Sequence, residues 1–480
     1  HRARYWHAAG VIHRDELHDG ERAAACFSAG LDADPRLERS ALALERLLVE
    51  AGAWAALREH YCRQLRRIDP LEPETRPWAL ALWSKLGELC IARFDRESGL
   101  TALEVAAQLD GDNPLRHQQM TDLYVEAGPA YLDRAIAHQQ ALLDMDGAQV
   151  RPYYTLATLY RETRQEPRAR TCLAVARLLE DRGARVSRPE LAVTATAEEA
   201  PRGALRPEAT LSPELLARLR HPREDRLLSA LFAVVAPALA AAQARPHAAF
   251  ALRPEDAISG AAPHPFARAF AGVVKALGIP APQLHSRPDQ HHTVLVASCI
   301  DRGELVTAVV LGKPLVNEGR TVGELERVLA QQLAYQYPER RIRLLAPNPA
   351  QLAKVIDAAI AMATRFDRAA ATASPRRSQT EELLEARLSP TARDQVIELG
   401  ERCRRRGSDT LEDAAAWLRA SDLFALRIGL VFATDLASGL GFGEDDAPPG
   451  AATGCGEIFA LCRERTCEAV FAAREHLGID

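Results

Sequence analysis

Apolar residues recur at helical spacing over most of this chain, and the first 183 residues repeat the pattern in units of uneven length. From Tyr5 to about Gly183 the sequence predicts antiparallel helix pairs recurring about every 34 to 45 residues. Proline punctuates the rhythm at Pro35, Pro70 and Pro114. Between Arg185 and Pro213 the periodicity stops. VSRPELAVTATAEEAPRGALRPEATLSP is proline-bearing and poor in apolar repeats, which predicts a linker or surface strap. Helix returns at 211–242, with Ser212 as N-cap and Pro213 in the first turn.

Two valine-rich runs follow, HTVLVASCI (292–300) and LVTAVVLG (305–312), and Asp301-Arg302-Gly303-Glu304 between them predicts a hairpin. They lead directly to Thr321–Pro338, TVGELERVLAQQLAYQYP. Thr321 and Glu324 have the spacing of a capping box, Leu325, Val328, Leu329 and Leu333 fall on one face, and Pro338 forbids continuation. Helices are also predicted at 347–366, 389–407 and 417–436, with loops at 371–380 and 441–454 and a closing helix.

The small and large residues of the first segment carry a resemblance. ERAAACFSAGLDADP (21–35) places Ala23, Phe27 and Gly30 in small, aromatic and small slots, and WSKLGELC (83–90) follows W-x2-L-G-x2-Y with Cys90 in the tyrosine slot. DLYVEAG…AIAHQQALLDMD (122–146) and YYTLATLYRETRQEPRARTCLAVARLL (153–179) continue it. The segment resembles a tetratricopeptide array; the alternative is an irregular helical bundle. The resemblance implies a superhelix that binds a peptide or helix of another protein.

A second resemblance sits on the capped helix. ELERVLAQQLAY, within VVLGKPLVNEGRTVGELERVLAQQLAY, is similar to the active-site helix of zincin metallopeptidases of the CAAX prenyl protease and HtpX group, where ELxxVLAHELAH is usual. That family uses two histidines on one helix face for zinc and a glutamate to activate the bound water. The corresponding positions here are Gln331, Gln332 and Tyr335. An amide is a poor zinc ligand and no general base, and a phenol titrates near pH 10. The family's third ligand lies in a later ExxAD-like element. WLRASDLFALRIGLVFATDL (417–436) matches it with Asp422 in the ligand slot and Leu426 in place of the second acid, followed by Arg427 and Gly429. The likeness spans roughly 265 to 440. It implies a scaffold kept without its chemistry, with Asp422 hydrogen-bonded to Gln331 or Tyr335.

Composition narrows the partners. Apolar residues make up 47% and aromatics 5%, a mixture favouring helix. With a net charge of −5 no basic field is present to hold nucleic acid, and Arg402, Arg404, Arg405 and Arg406 read as a solvated helix end. No stretch is read as a membrane span; Leu227–Ala244 comes nearest, and Pro237 is expected to break it. Nine scattered cysteines without a CxxC pair suit reduced thiols in a cytoplasmic setting. Cys455, Cys462 and Cys467 have the spacing of no common zinc module. His291 and His292 are adjacent at a strand start, so they point to opposite faces. Phosphate-binding loops, nucleophile elbows and dinucleotide fingerprints are absent from the sequence.

The expected protein is mostly α: tetratricopeptide-type repeats at 1–184, a linker at 185–210, and a helical or α+β degenerate metallopeptidase-like domain with a small sheet at 211–480. The expected function is a non-catalytic protein-interaction scaffold without a cofactor or metal, its repeats binding a protein or peptide, with neither nucleic acid nor membrane as partner. The alternatives are a regulatory pseudoenzyme that holds a peptide in a cleft at Gln331, Gln332, Tyr335 and Asp422, or an active hydrolase.

Overall fold

The computed structural model describes residues 1–70, 72–181, 205–206, 208–259, 265–316, 321–366, 377–433 and 462–479. The chain separates into two compact units, His1–Ala192 and Val193–Asp480. Most of the expected linker, the loops at 371–376 and 441–454, and Cys455 lie outside the described residues.

The first unit is a run of helices: α1 (Arg2–Asp15), α2 (Gly20–Ala33), α3 (Glu38–Glu50), α4 (Trp54–Leu65), α5 (Arg76–Arg93), α6 (Arg96–Leu109), α7 (Pro114–Ala127), α8 (Leu132–Met145), α9 (Val150–Glu162) and α10 (Glu166–Asp181). The odd-numbered helices begin at residues 2, 38, 76, 114 and 150, so the repeat is nearly even. Short polar residues start several helices: Asp19 accepts from the Arg22 amide, Asp95 from Ser98, and Asn113 from Leu115 and Arg116. Within pairs, small residues let the backbones close up. A Cβ on Gly87 would stand 2.5 Å from Leu103 Cγ, and one on Gly99 would stand 2.8 Å from the Gly87 carbonyl oxygen. Ala23, Phe27 and Gly30 are all buried, and the Phe27 ring lies against Gly10.

The second unit opens with α11 (Pro213–Leu219), capped by Ser212, and α12 (Arg226–Gln243), capped by Asp225. These are two helices where the pattern predicted one. Pro237 does not break α12, contrary to expectation. Its ring costs the helix a hydrogen bond, and the burial of Leu228, Leu231, Phe232, Val235, Ala236 and Leu239 outweighs that loss. By length and composition α12 is apolar enough to cross a membrane, which corrects the sequence reading, and half of it is buried inside the unit.

Next come β1 (Arg245–Pro246), α13 (Pro265–Leu277), β2 (Gln283–Arg287), β3 (Val294–Asp301) and β4 (Glu304–Gly312). They form a mixed sheet in the order β1-β3-β4-β2. β3 and β4 are the antiparallel hairpin expected from their valines, and Arg302 and Gly303 take φ of 52° and 91° in the two-residue turn. β2 runs parallel to β4, and β1 pairs with β3 at only two positions.

A short helix, α14 (Lys313–Val316), intervenes before α15 (Val322–Leu333), so the sheet does not lead directly into the capped helix as expected. Then follow α16 (Ile342–Leu345), α17 (Pro349–Phe366), α18 (Gln379–Arg387), α19 (Pro390–Arg406), α20 (Thr410–Phe432) and α21 (Glu468–Leu477). One apolar cluster joins α13, α15, the end of α20 and α21 to Val309 and Leu311 of the sheet. A second joins α12, α17, α18, α19 and the start of α20. α17 and α19 cross at Gly400, where a Cβ would stand 2.2 Å from the Ala359 carbonyl oxygen. The end of α20 is capped by arginines from the C-terminal segment. Arg465 donates to the Leu430 carbonyl at 2.6 Å, and Arg474 donates to those of Val431 and Ala433 at 3.0 and 2.8 Å.

Candidate functional site

α15 begins with the expected capping box. Thr321 Oγ1 accepts from the Glu324 amide at 3.3 Å, and Glu324 Oε2 accepts from the Thr321 amide at 2.7 Å. Leu325, Val328, Leu329 and Leu333 are buried, which fixes the rotation of the helix. After Leu333 the backbone tightens into a 3-10 turn, Ala334–Gln336, ahead of Pro338. Gln331 and Gln332 are therefore half-buried, and Tyr335 is buried beneath the turn.

α20 passes across α15 with Gly429 at the close approach, where a Cβ would stand 3.0 Å from Gln331 Cβ. Asp422 lies seven residues earlier, about 10 Å back along the helix. The Tyr335 hydroxyl donates to Asp422 Oδ1 at 2.8 Å. Arg343, just past the turn, donates from Nε to Oδ1 at 2.8 Å and from Nη2 to Oδ2 at 3.2 Å, a forked pair. Burial and the Asp422 charge push the Tyr335 phenol far above its ordinary value, so it remains a donor.

The structure thus joins Tyr335 to Asp422, one of the two partners anticipated for that carboxylate. It does not gather all four positions into a ligand set. Gln331 packs at Gly429 and faces Arg327 Nη1 at 3.4 Å, and Gln332 makes no side-chain hydrogen bond with a described residue. Two amides, a phenol and a carboxylate already neutralised by guanidinium do not fit a zinc ion. Among the described residues no group of three or more His, Cys, Asp or Glu side chains is placed to hold a metal. Leu426 packs on the core, and Arg427 is buried in an ion pair with Glu464 while donating to the carbonyls of Leu219 and Arg220. His291 is exposed and His292 half-buried, both before β3 begins, two residues later than expected.

Sequence reasoning missed Arg343. The available signal was the run RRIRLL (340–345), in which charges alternate with apolar residues just past a proline-ended helix. Its presence sets a prediction. A Gln331→His, Gln332→Glu, Tyr335→His variant is expected to bind zinc weakly, because Arg343 still occupies Asp422. Adding Arg343→Ala is expected to tighten binding about tenfold to a hundredfold, the worth of charge-assisted hydrogen bonds. Competition titration against a zinc indicator reads the difference, and equal affinities would show that Arg343 does not guard the carboxylate.

The first unit holds a second polar constellation, beside a groove of about 480 Å3 lined by α6, α7 and α8. His117 Nδ1 lies 2.8 Å from His138 Nδ1, His117 Nε2 lies 3.0 Å from the Gly111 carbonyl oxygen, and His138 Nε2 lies 3.0 Å from Glu104 Oε2. Tyr124 also donates to Glu104 Oε2, at 2.6 Å. The His138 contact, against burial and helped by Tyr124, holds the Glu104 carboxyl down at about 2. Each of these side chains sits at ordinary helix spacing, so no local motif announces the cluster.

No protein-family model matches the chain, and no curated protein matches it. Among solved structures the chain is similar to one titled "Crystal structure of MamA protein", at 16% identity over 39% of this chain and 97% of that one, with a TM-score of 0.25. It is also similar to "YrrB: a TPR protein with an unusual peptide-binding site" (16% identity, 37% and 85% of the two chains, TM-score 0.24). A third is TTC0263, a thermophilic TPR protein in Thermus thermophilus (21% identity, 37% and 90%, TM-score 0.18). The likeness lies in the N-terminal part. At these TM-scores it adds nothing to what the helix pairs themselves display.

Proposed function

We propose that this chain is a non-catalytic protein-interaction scaffold, in which the helix pairs of the first unit take a segment of another protein. The second unit, on this reading, is a metallopeptidase-like module whose chemistry is gone. The observation that carries the proposal is the saturation of Asp422. Its two oxygens accept from Arg343 and Tyr335, so the one carboxylate at the former ligand positions is closed by the protein's own side chains. The same closure speaks against a peptide held between Tyr335 and Asp422. The regular spacing of the helix pairs supports the other half of the reading, since stacked repeats expose long surfaces to a partner. Among the described residues the eight cysteines form no disulfide with one another, which suits a reducing compartment such as the cytoplasm.

Digestion of a peptide library by the full chain, read by mass spectrometry, tests the absence of chemistry. No cleavage above an Asp422→Ala control is expected, and sequence-specific cleavage lost in that control would overturn the proposal. Cross-linking to a purified partner tests the binding surface: contacts on α1 to α10 are expected, and contacts confined to 211–480 would contradict it.

A further inference from the structure

The sheet leaves part of one edge open. β1 covers β3 only at Cys299 and Ile300. The two-residue turn closes on Asp301 and Glu304 as a hydrogen-bonded pair, and bonded pairs alternate along an antiparallel ladder. Leu295, Ala297 and Cys299 therefore aim their N–H and C=O groups at β4. Ser298 also faces the β1 side, where its carbonyl lies in the ladder with Arg245, while Val294 and Val296 aim their groups past the end of β1, where no described backbone group bonds to them.

A groove of about 210 Å3 runs along this edge and straddles it. Phe250 borders it on the face of the sheet that carries Leu295 and Ala297. Gln336, Arg341 and Leu344 border it on the face that carries Val294 and Val296. Among the described residues, one donor in that wall has no acceptor and one cation has no counter-ion. Gln336 Nε2 is buried with no hydrogen-bond partner among the described residues. The half-buried Arg341 guanidinium donates from Nη2 to Thr307 Oγ1 at 2.9 Å, and no carboxylate among the described residues lies within ion-pair distance of it. Burial lowers the Arg341 pKa, with no anion beside it to raise it again. A desolvated cation without a counter-ion is costly and is relieved by an incoming anion.

We propose that this groove receives an extended acidic segment of another protein, which adds as a strand beside β3 and places an aspartate or glutamate side chain on Arg341 and Gln336. Main-chain groups of Val294 and Val296 supply the pairing, as in strand addition at an exposed edge. Side chains of an added strand alternate between the faces. The fitting pattern is thus an acidic residue toward Arg341 with apolar neighbours toward Phe250. The inference rests on the scaffold reading, but its surface is lined by none of Gln331, Gln332, Tyr335 and Asp422.

The test uses the full chain and amidated, fluorescent five-residue peptides of alternating valine and glutamate. The glutamate peptide is expected to bind about tenfold to a hundredfold more tightly than its glutamine counterpart. N-methylation of alternate amides should abolish binding in one phase and spare it in the other. Arg341→Gln should level the two peptides while the circular dichroism stays unchanged. Equal binding of both peptides to the unaltered chain overturns the proposal. So does binding of only a neutral peptide with a free C-terminal carboxylate. Either result leaves partner contacts on α1 to α10 standing, whereas cleavage of the peptide would instead overturn the scaffold reading.

Discussion

Glu224→Ala is expected to destabilise the second unit by about 3–5 kcal/mol, the cost of stranding one member of a buried ion pair. Arg340 is fully buried, and its Nη2 donates to Glu224 Oε2 at 2.6 Å. Ser229 donates to the other oxygen at 3.0 Å and itself accepts from Trp417 Nε1 at 2.9 Å, so the carboxylate ties α12 to α20 and to the turn after α15. The guanidinium stacks 3.7 Å above the Phe424 ring, and its Nε and Nη1 already lack partners among the described residues. Removing the carboxylate leaves a bare cation in the core. A Glu224→Leu, Arg340→Met double variant should recover most of the loss, because a packed apolar pair replaces a buried ionic one at little cost. Urea titration of the three proteins checks this, and a double variant no better than Glu224→Ala would mean that the pair acts through shape and not charge.

Phe27→Ala is expected to cost the first unit about 3–5 kcal/mol, the usual penalty for emptying a buried aromatic site. The Phe27 ring is wholly inaccessible and covers Gly10, where a Cβ would stand 2.6 Å from Cε1. Its loss therefore opens a cavity that Gly10 has no side chain to fill. In a stack each repeat touches only its neighbours. Hydrogen exchange should show protection falling in α1 to α4 and holding in α7 to α10. A uniform fall along all ten helices would show that the unit unfolds as one body.

Much of this architecture was legible because it follows from local rules. The caps at Ser212 and Thr321, the pairing slots of Ala23, Phe27 and Gly30, and the β3–β4 turn each express a preference of a few neighbouring residues. β2 was not legible: QLHSR is short and polar, and its strand character comes from lying parallel to β4. β1 is two residues held by tertiary contacts. Pro237 misled for the same reason, since packing around α12 overrides a local penalty. At the candidate site the Tyr335–Asp422 contact was one of the two alternatives, with Gln331–Asp422, that the metallopeptidase resemblance implies. Arg343, Arg341 and Arg340 could not be sorted, because one run of arginines serves three different surroundings.

The contacts from Gly111 through His117 and His138 to Glu104 have a consequence in acid. A carbonyl oxygen and a carboxylate stand at their ends, and both can only accept. The stability that Glu104 contributes is fully present above its ordinary value near 4.5 and is lost as pH falls through about 2. Because α6 carries Glu104 while α7 and α8 carry the histidines, the third and fourth repeats are fastened by a charge as well as by shape, and strong acid loosens their grip on one another.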